Sequence, residues 1–341
     1  MKNKILLVFT GGTICSFKNE KTDKLGADVK KANRVIVENF RNSGSRFAGV
    51  HFDEEMPLNT LSENMTVEKW NVLLGFFRDF KRFNEYDGVI ILHGTDTLAF
   101  TSALLSLTLA NIGIPVMLVS SQLDLSQSGA NGNLNFKAAV ELIMKSIKPN
   151  VYAVYKNSDG RCFVHYGAHL QQCACYSDDF FSKTQTEVIE EEPVFEGVEY
   201  KKSDILNGFD TISGGVLKIT PYVGLDYNAF NLENIKAVVH GTYHSQSVCV
   251  STQTGSAGES ALQSFIKKCS EKGIPVIIEP CSEAAYKYES TKEALESGAI
   301  AVYGMTSEMT YVKTLLGVSM NLSKSELSQF LKENVNNEFI A

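Results

Sequence analysis

Two kinds of apolar spacing alternate along this chain. The first is the short unbroken run: Ile5–Leu6–Leu7–Val8–Phe9, then Val89–Ile90–Ile91–Leu92, Val116 to Ser120, Val151 to Tyr155 and Ala237–Val238–Val239. A run of this length, closed by turn residues, predicts a strand buried on both faces. The second is helical spacing. Val35, Ile36 and Phe40 mark a helix over 32–40. Thr66 is placed to cap a helix whose apolar face is Trp70, Leu73, Leu74, Phe77, Phe80 and Phe83. Residues 97–110 are apolar nearly all round, which predicts a buried helix; Gly113 ends it and Pro115 bars its continuation. Further helices are predicted over 135–145 and 259–270, near 309–318 and over 323–335, with Ser256-x-x-Glu259 spaced as a capping box. Residues 15–28 are rich in Lys, Asn, Asp and Gly and have no apolar period. They predict a mobile surface loop, either a lid or a plain connection.

The second half repeats the first in outline. Each half has a strand, a His-Gly-Thr, a helix and a Gly-Ile-Pro-Val strand: His93–Gly94–Thr95 with Gly113 to Val116, and His240–Gly241–Thr242 with Gly273 to Val276. Alternating β and α implies parallel sheets with helices on both faces, joined by right-handed crossovers. At 341 residues the chain exceeds one typical core. The expected fold class is therefore α/β with two parallel-sheet domains. Glu190–Glu191–Glu192–Pro193 and the polar stretch 201–210 predict a linker. The expected layout is residues 1–189, a linker at 190–211, and a second domain at 212–341.

Charge and cysteine usage narrow the partners. The net charge is −7 and no Lys/Arg cluster has the density of a phosphate-binding face, so nucleic acid is not expected. Seven cysteines, none in a Cys-x-x-Cys pair, read as reduced thiols of a cytoplasmic protein. Met1–Lys2–Asn3–Lys4 mimics the start of a leader, but the apolar run after it is too short, and no run reaches membrane-spanning length. His165/His169 and His240/His244 are spaced four apart, and Cys173 and Cys175 follow the first pair. Without helical context these residues read as packing and hydrogen-bonding groups, and no metal is expected. Dinucleotide, P-loop and nucleophile-elbow motifs are absent from the sequence.

The chemistry sits at two strand ends. Open α/β sheets bind ligands beyond the carboxyl ends of their strands. There the first run leads into Thr10–Gly11–Gly12–Thr13–Ile14 and the second into His93–Gly94–Thr95–Asp96–Thr97. If those strands are neighbours, the hydroxyls of Thr13 and Thr95 and the carboxylate of Asp96 converge on one small pocket. A Thr hydroxyl becomes a nucleophile when a neighbouring base takes its proton. Free N–H groups of the glycine turns could hold a developing oxyanion. This set suits hydrolysis of a small amide or ester, and Asp96 suits an ammonium group on the substrate.

The same two segments resemble the signature motifs of bacterial-type L-asparaginases. Ser62–Glu63–Asn64–Met65 matches the family's substrate-binding loop, and Val119–Ser120–Ser121–Gln122 matches the strand after the buried helix. Met305 to Thr310, with Lys313, is similar to the C-terminal pattern of the cytoplasmic type I group. The resemblance spans nearly the whole chain. It implies an asparaginase-like fold with a larger N-terminal and a smaller C-terminal domain. It implies an active site completed by a neighbouring subunit, hence a homodimer or homotetramer. It implies that Thr13 forms an acyl-enzyme from L-asparagine and releases ammonia, leaving L-aspartate. Ser62 and Glu63 would hold the substrate's α-carboxylate and α-amino groups, with Gly12 and Gly94 lining the same site. Thr95 would position or activate water, and Asp96 would bind the α-amino group. No metal or organic cofactor is implied.

Two departures from the family pattern stand out. Aligning Phe181 and Ser182 places Gln172 where the family carries a relay lysine. Glutamine cannot accept a proton; Lys156 or Lys183 would have to reach the pocket from elsewhere. The family's tyrosine on the loop beside the nucleophile also has no counterpart. Asp23 or Gly26 occupies that region, and Phe17 is the only aromatic there. Three readings follow: an asparaginase with a rearranged relay, a hydrolase of glutamine or a β-aspartyl amide, or a paralogue that binds an amino acid without turnover. Ser62–Glu63–Asn64 also resembles the loop of the archaeal tRNA-amidotransferase asparaginase-like subunit, whose extra barrel domain has no counterpart in this sequence. Retention of the nucleophile with the Thr-Asp pair argues against a pure binder.

Overall fold

A computed structural model describes residues 2–18, 25–27, 29–188, 201, 203–250, 261–281 and 288–340. The chain divides into two compact units, Met1–Gly208 with Val335–Asn337, and Phe209–Asn334 with Glu338–Ala341.

In the first unit β1 (Lys4–Phe9) runs into the glycine turn and a 3-10 turn at Thr13–Cys15. Then come β2 (Ser16–Lys18) and β3 (Leu25–Ala27), α1 (Val29–Arg41), β4 (His51–Glu55), and a 3-10 turn at Ser62–Asn64. The unit continues with α2 (Val67–Asp79), β5 (Gly88–Leu92), α3 (Leu98–Thr108), β6 (Val116–Val119), α4 (Gly132–Met144) and β7 (Val151–Lys156). It closes with β8 (Cys162–Tyr166) and β9 (Gln185–Glu187). The main sheet has seven strands in the order β4-β1-β5-β6-β7-β8-β9. The first five pair in parallel, whereas β8 and β9 add on antiparallel. The all-parallel expectation thus holds for the centre of the sheet and fails at one edge.

The central strands are the unbroken apolar runs, buried at every position of β5 and β6. Helix α3 is buried at all but one position, and the Trp70 indole donates to its Thr101 hydroxyl at 3.1 Å. Thr66 caps α2 as expected, but the helix stops at Asp79. Phe80 and Phe83 therefore lie beyond it, in an aromatic cluster with Phe76 and Phe77. The stretch expected to be a loop is partly ordered: β2 and β3 pair antiparallel, with Phe17 opposite Gly26. Asp23 lies outside the described residues.

The second unit holds β10 (Val216–Ile219), β11 (Ala237–Gly241), α5 (Ala261–Glu271), β12 (Val276–Cys281), α6 (Glu289–Glu296) and β13 (Ile300–Tyr303). Helices α7 (Ser307–Ser319) and α8 (Lys324–Lys332) complete it. Its four strands are parallel, in the order β10-β11-β12-β13. The predicted capping box at 256–259 and the acidic run at 190–193 lie outside the described residues. Lys313 and Glu338, both fully buried, form an ion pair at 2.6 Å. Among the described residues no helix is long and apolar enough to cross a membrane.

Candidate active site

Strands β1 and β5 are direct neighbours, with Phe9 opposite Leu92. The two motifs therefore leave the sheet side by side. Pairing continues one step past the strands: the Thr10 N–H and the Thr10 hydroxyl both donate to the Leu92 carbonyl, at 3.1 and 2.9 Å. Beyond that point only glycine fits. Gly11 and Gly12 have φ of 107° and 81°, a region that side chains avoid. A Cβ on Gly11 would lie 2.1 Å from the Thr60 carbonyl oxygen, and one on Gly12 would lie 2.3 Å from the Cα and N of Gly94. A Cβ on Gly94 would in turn lie 2.4 Å from the Ser62 hydroxyl. Three turns are thus stacked in contact, and each next residue along the two strand ends is a threonine, Thr13 and Thr95.

Thr13 opens its 3-10 turn half-buried, held by the buried Ile14 and Cys15. Burial pushes the Cys15 thiol up to about 12, so it stays protonated and inert. The Gly12 N–H donates to the Thr60 carbonyl at 2.9 Å, and Thr60 N–H donates back to the Thr10 carbonyl at 3.0 Å. This corrects one expectation: the Gly12 N–H is committed to Thr60 and is not available for an oxyanion. Thr60, which belongs to no sequence motif, is the residue that pins the Gly11–Gly12 turn before Thr13. Its extended pairing with Gly11 leaves no mark in apolar spacing.

Ser62 is buried, whereas Glu63 on the same turn is exposed. The Ser62 hydroxyl donates to Asp96 Oδ2 at 2.6 Å and accepts from the Asp96 N–H at 3.1 Å. The Thr97 hydroxyl donates to the Ser62 carbonyl at 3.0 Å. The Ser62 turn and the Asp96 turn are therefore locked together, while Asp96 itself remains exposed. On the other side, Gln172 Nε2 donates to the Asp96 carbonyl at 2.6 Å. The aligned position is thus beside the second motif, with an amide bonded to its main chain. Lys156 ends β7, where its charge acts on Cys162 and Asp159.

His93 is fully buried, and burial holds it down at about 4, so it is neutral near pH 7. Its Nδ1 lies 2.7 Å from the Gly94 carbonyl, which can only accept; the proton therefore sits on Nδ1. Of the two histidine pairs, His165, His169 and His240 are internal hydrogen-bonding groups, whereas His244 is exposed. His165 Nδ1 meets the Ser182 hydroxyl at 3.0 Å, His169 bridges Thr184 and the Asn337 carbonyl, and His240 Nε2 meets the Tyr227 hydroxyl at 2.8 Å. Among the described residues no group of three or more His, Cys, Asp or Glu side chains is gathered as for a metal ion.

A family model described as "Asparaginase, N-terminal" matches residues 4–204. L-asparaginase of Thermococcus kodakarensis is 28% identical over 354 aligned positions, covering 98% of each chain. A glutamyl-tRNA(Gln) amidotransferase component of Archaeoglobus fulgidus is 24% identical over 352 positions, covering 98% of this chain and 79% of that one. Among solved structures, L-asparaginase I from Vibrio cholerae superposes with a TM-score of 0.71 at 20% identity, covering 99% of both chains. At that identity the likeness speaks to the fold.

Proposed function

This chain belongs to the asparaginase family, and on that premise we propose that it is an L-asparaginase that hydrolyses L-asparagine to L-aspartate and ammonia through an acyl-enzyme on Thr13. Family membership supports amidohydrolase activity. The observation that supports the finer reading is the contact of Gly12 with Gly94 and of Gly94 with Ser62, the turns next to residues 13, 95 and 96.

The Thr13 hydroxyl attacks the side-chain amide carbon and yields its proton. The C–N bond breaks, ammonia leaves with a proton, and the acyl group remains on Thr13. Thr95 orients the water that attacks this ester and frees L-aspartate. Ser62 and Glu63 hold the α-carboxylate and α-amino groups. The Asp96 carboxylate accepts the ammonium, a charge-assisted contact that exchanges with its bond to Ser62. Gln172 has no basic atom, so the proton of Thr13 passes to another group. The amide of Gln172 instead holds the Asp96 main chain in place. The protein is proposed to act as a homodimer or homotetramer in the cytoplasm, in keeping with its free cysteines.

A second reading is favoured by the Gln172 replacement and by the similarity to an amidotransferase component: a related amide, glutamine or a β-aspartyl compound, as substrate. The test is ammonia release over a panel of small amides, with Thr13→Ala as control. Release from asparagine that Thr13→Ala reduces by about four orders of magnitude, with an unchanged melt, is the expected result. Undiminished turnover in Thr13→Ala overturns the nucleophile assignment. Aspartate binding without ammonia from any amide identifies a non-catalytic binder.

A further inference from the structure

We infer that Lys69 is a positioning residue whose ammonium group ties the Thr13 turn to the Ser62–Glu63 turn. The inference rests on the roles proposed above for those two turns.

The half-buried Lys69 donates from Nζ to the Thr60 hydroxyl at 2.7 Å and to the Asn64 carbonyl at 2.6 Å. These two partners flank Leu61–Ser62–Glu63, so one cation clamps the substrate-binding turn from both sides. The clamp extends further. The Thr60 hydroxyl, while accepting from Lys69, donates to the Leu61 carbonyl at 3.2 Å. The Thr60 main chain pairs with Thr10 and Gly12. A continuous chain of contacts therefore leads from Lys69 to the residue before Thr13.

Local rules oppose a lysine here. Lys69 is the third residue of α2, and its N–H bonds the cap hydroxyl of Thr66 at 3.4 Å. At that position Glu or Gln would complete a capping box, and the positive end of the helix dipole disfavours a cation. A residue that breaks a helix rule while bracketing a site marks a demand of the site rather than of the helix.

That conflict supplies the test. Lys69→Gln gives α2 the residue its cap prefers and removes both loop contacts. KM and kcat for L-asparagine, the Kd for L-aspartate by calorimetry and the melting midpoint are measured for the wild type, Lys69→Gln and Lys69→Arg. Loss of a charge-assisted hydrogen bond sets the expected scale: KM and Kd rise about tenfold or more in Lys69→Gln, kcat changes less, and the midpoint does not fall. Lys69→Arg restores KM and Kd to within about threefold of the wild type. Wild-type KM and Kd in Lys69→Gln overturn the inference, as does a change confined to the midpoint. A wild type that binds L-aspartate but turns nothing over refutes the asparaginase reading, and Kd then judges Lys69 alone. A wild type that neither binds nor turns over refutes both.

Discussion

The same three residues, His-Gly-Thr, end a buried strand in each unit, and only one of the two ends is packed against a second glycine turn. Both histidines are fully buried and held at about 4 by burial. Both glycines follow the last apolar positions of β5 and β11 by a single histidine. The difference lies in what approaches them. Gly94 is packed so closely that a Cβ would collide with Ser62, at 2.4 Å from its hydroxyl, and press on Gly12 Cα at 3.0 Å. At Gly241 the nearest atoms to a Cβ are Pro221 Cδ and the Ile219 carbonyl oxygen, at 3.2 and 3.3 Å, and neither belongs to a glycine turn. Thr95 is followed by Asp96, which Ser62 engages. Thr242 is followed by Tyr243, and its hydroxyl is committed to the Pro280 carbonyl at 3.0 Å. The motif by itself shapes a strand end. In the proposed mechanism, reactivity comes from the second turn pressed against it.

That contrast can be broken by one methyl group. Gly94→Ala must displace Ser62, and a shift of about 1 Å in a reacting or positioning group costs about a hundredfold in rate. Gly241→Ala needs its neighbours to give by only a few tenths of an ångström, so kcat should stay within about twofold while the melt drops slightly. Steady-state kinetics of the two variants check this. Equal losses would mean that the two strand ends are not distinct.

A smaller effect is expected at Gln172. Gln172→Lys introduces a basic group beside the second motif. It should raise turnover several-fold or shift the pH optimum, read from a pH–rate profile. An unchanged profile would mean that another base already serves the first turn.

The smallest effect concerns what the two ends share. Burial lowers His93 and His240 from 6.5 to about 4, and His165 to about 3. The unfolded chain then takes up protons first as pH falls. Stability from these groups should be full above about 6.5 and should decline as pH drops toward 4. Thermal melts between about pH 7 and pH 5 should therefore show a falling midpoint. His93→Gln and His240→Gln should flatten that slope by similar amounts. A midpoint independent of pH would contradict the buried neutral assignment.

Much of this is legible from the chain. Strands β1, β5 and β6 announce themselves by unbroken apolar runs and helix α3 by small and apolar residues nearly all round, because both their faces are covered. The two motifs follow from those strands. The edges are not legible. Strand β4 reads His51–Phe52–Asp53–Glu54–Glu55, half-exposed and charged as edge strands are, so no apolar run marks it. Strand β8 has His165 in its interior, where burial keeps the ring neutral, and a polar letter breaks the run. Around the site, the pairing of Thr60 with the glycine turn and the hold of Gln172 on Asp96 are made by groups far apart in sequence. Main-chain partners of that kind leave no periodicity to read.

The claim at the centre is that the hydroxyl of residue 13 becomes acylated. Acid quenching during turnover of L-asparagine, followed by peptide mass spectrometry, measures it directly. The account predicts an aspartyl ester on the peptide carrying Thr13, formed as ammonia is released and absent in Thr13→Ala. Sustained ammonia release with no adduct on that peptide, or with the adduct on another residue, would contradict it.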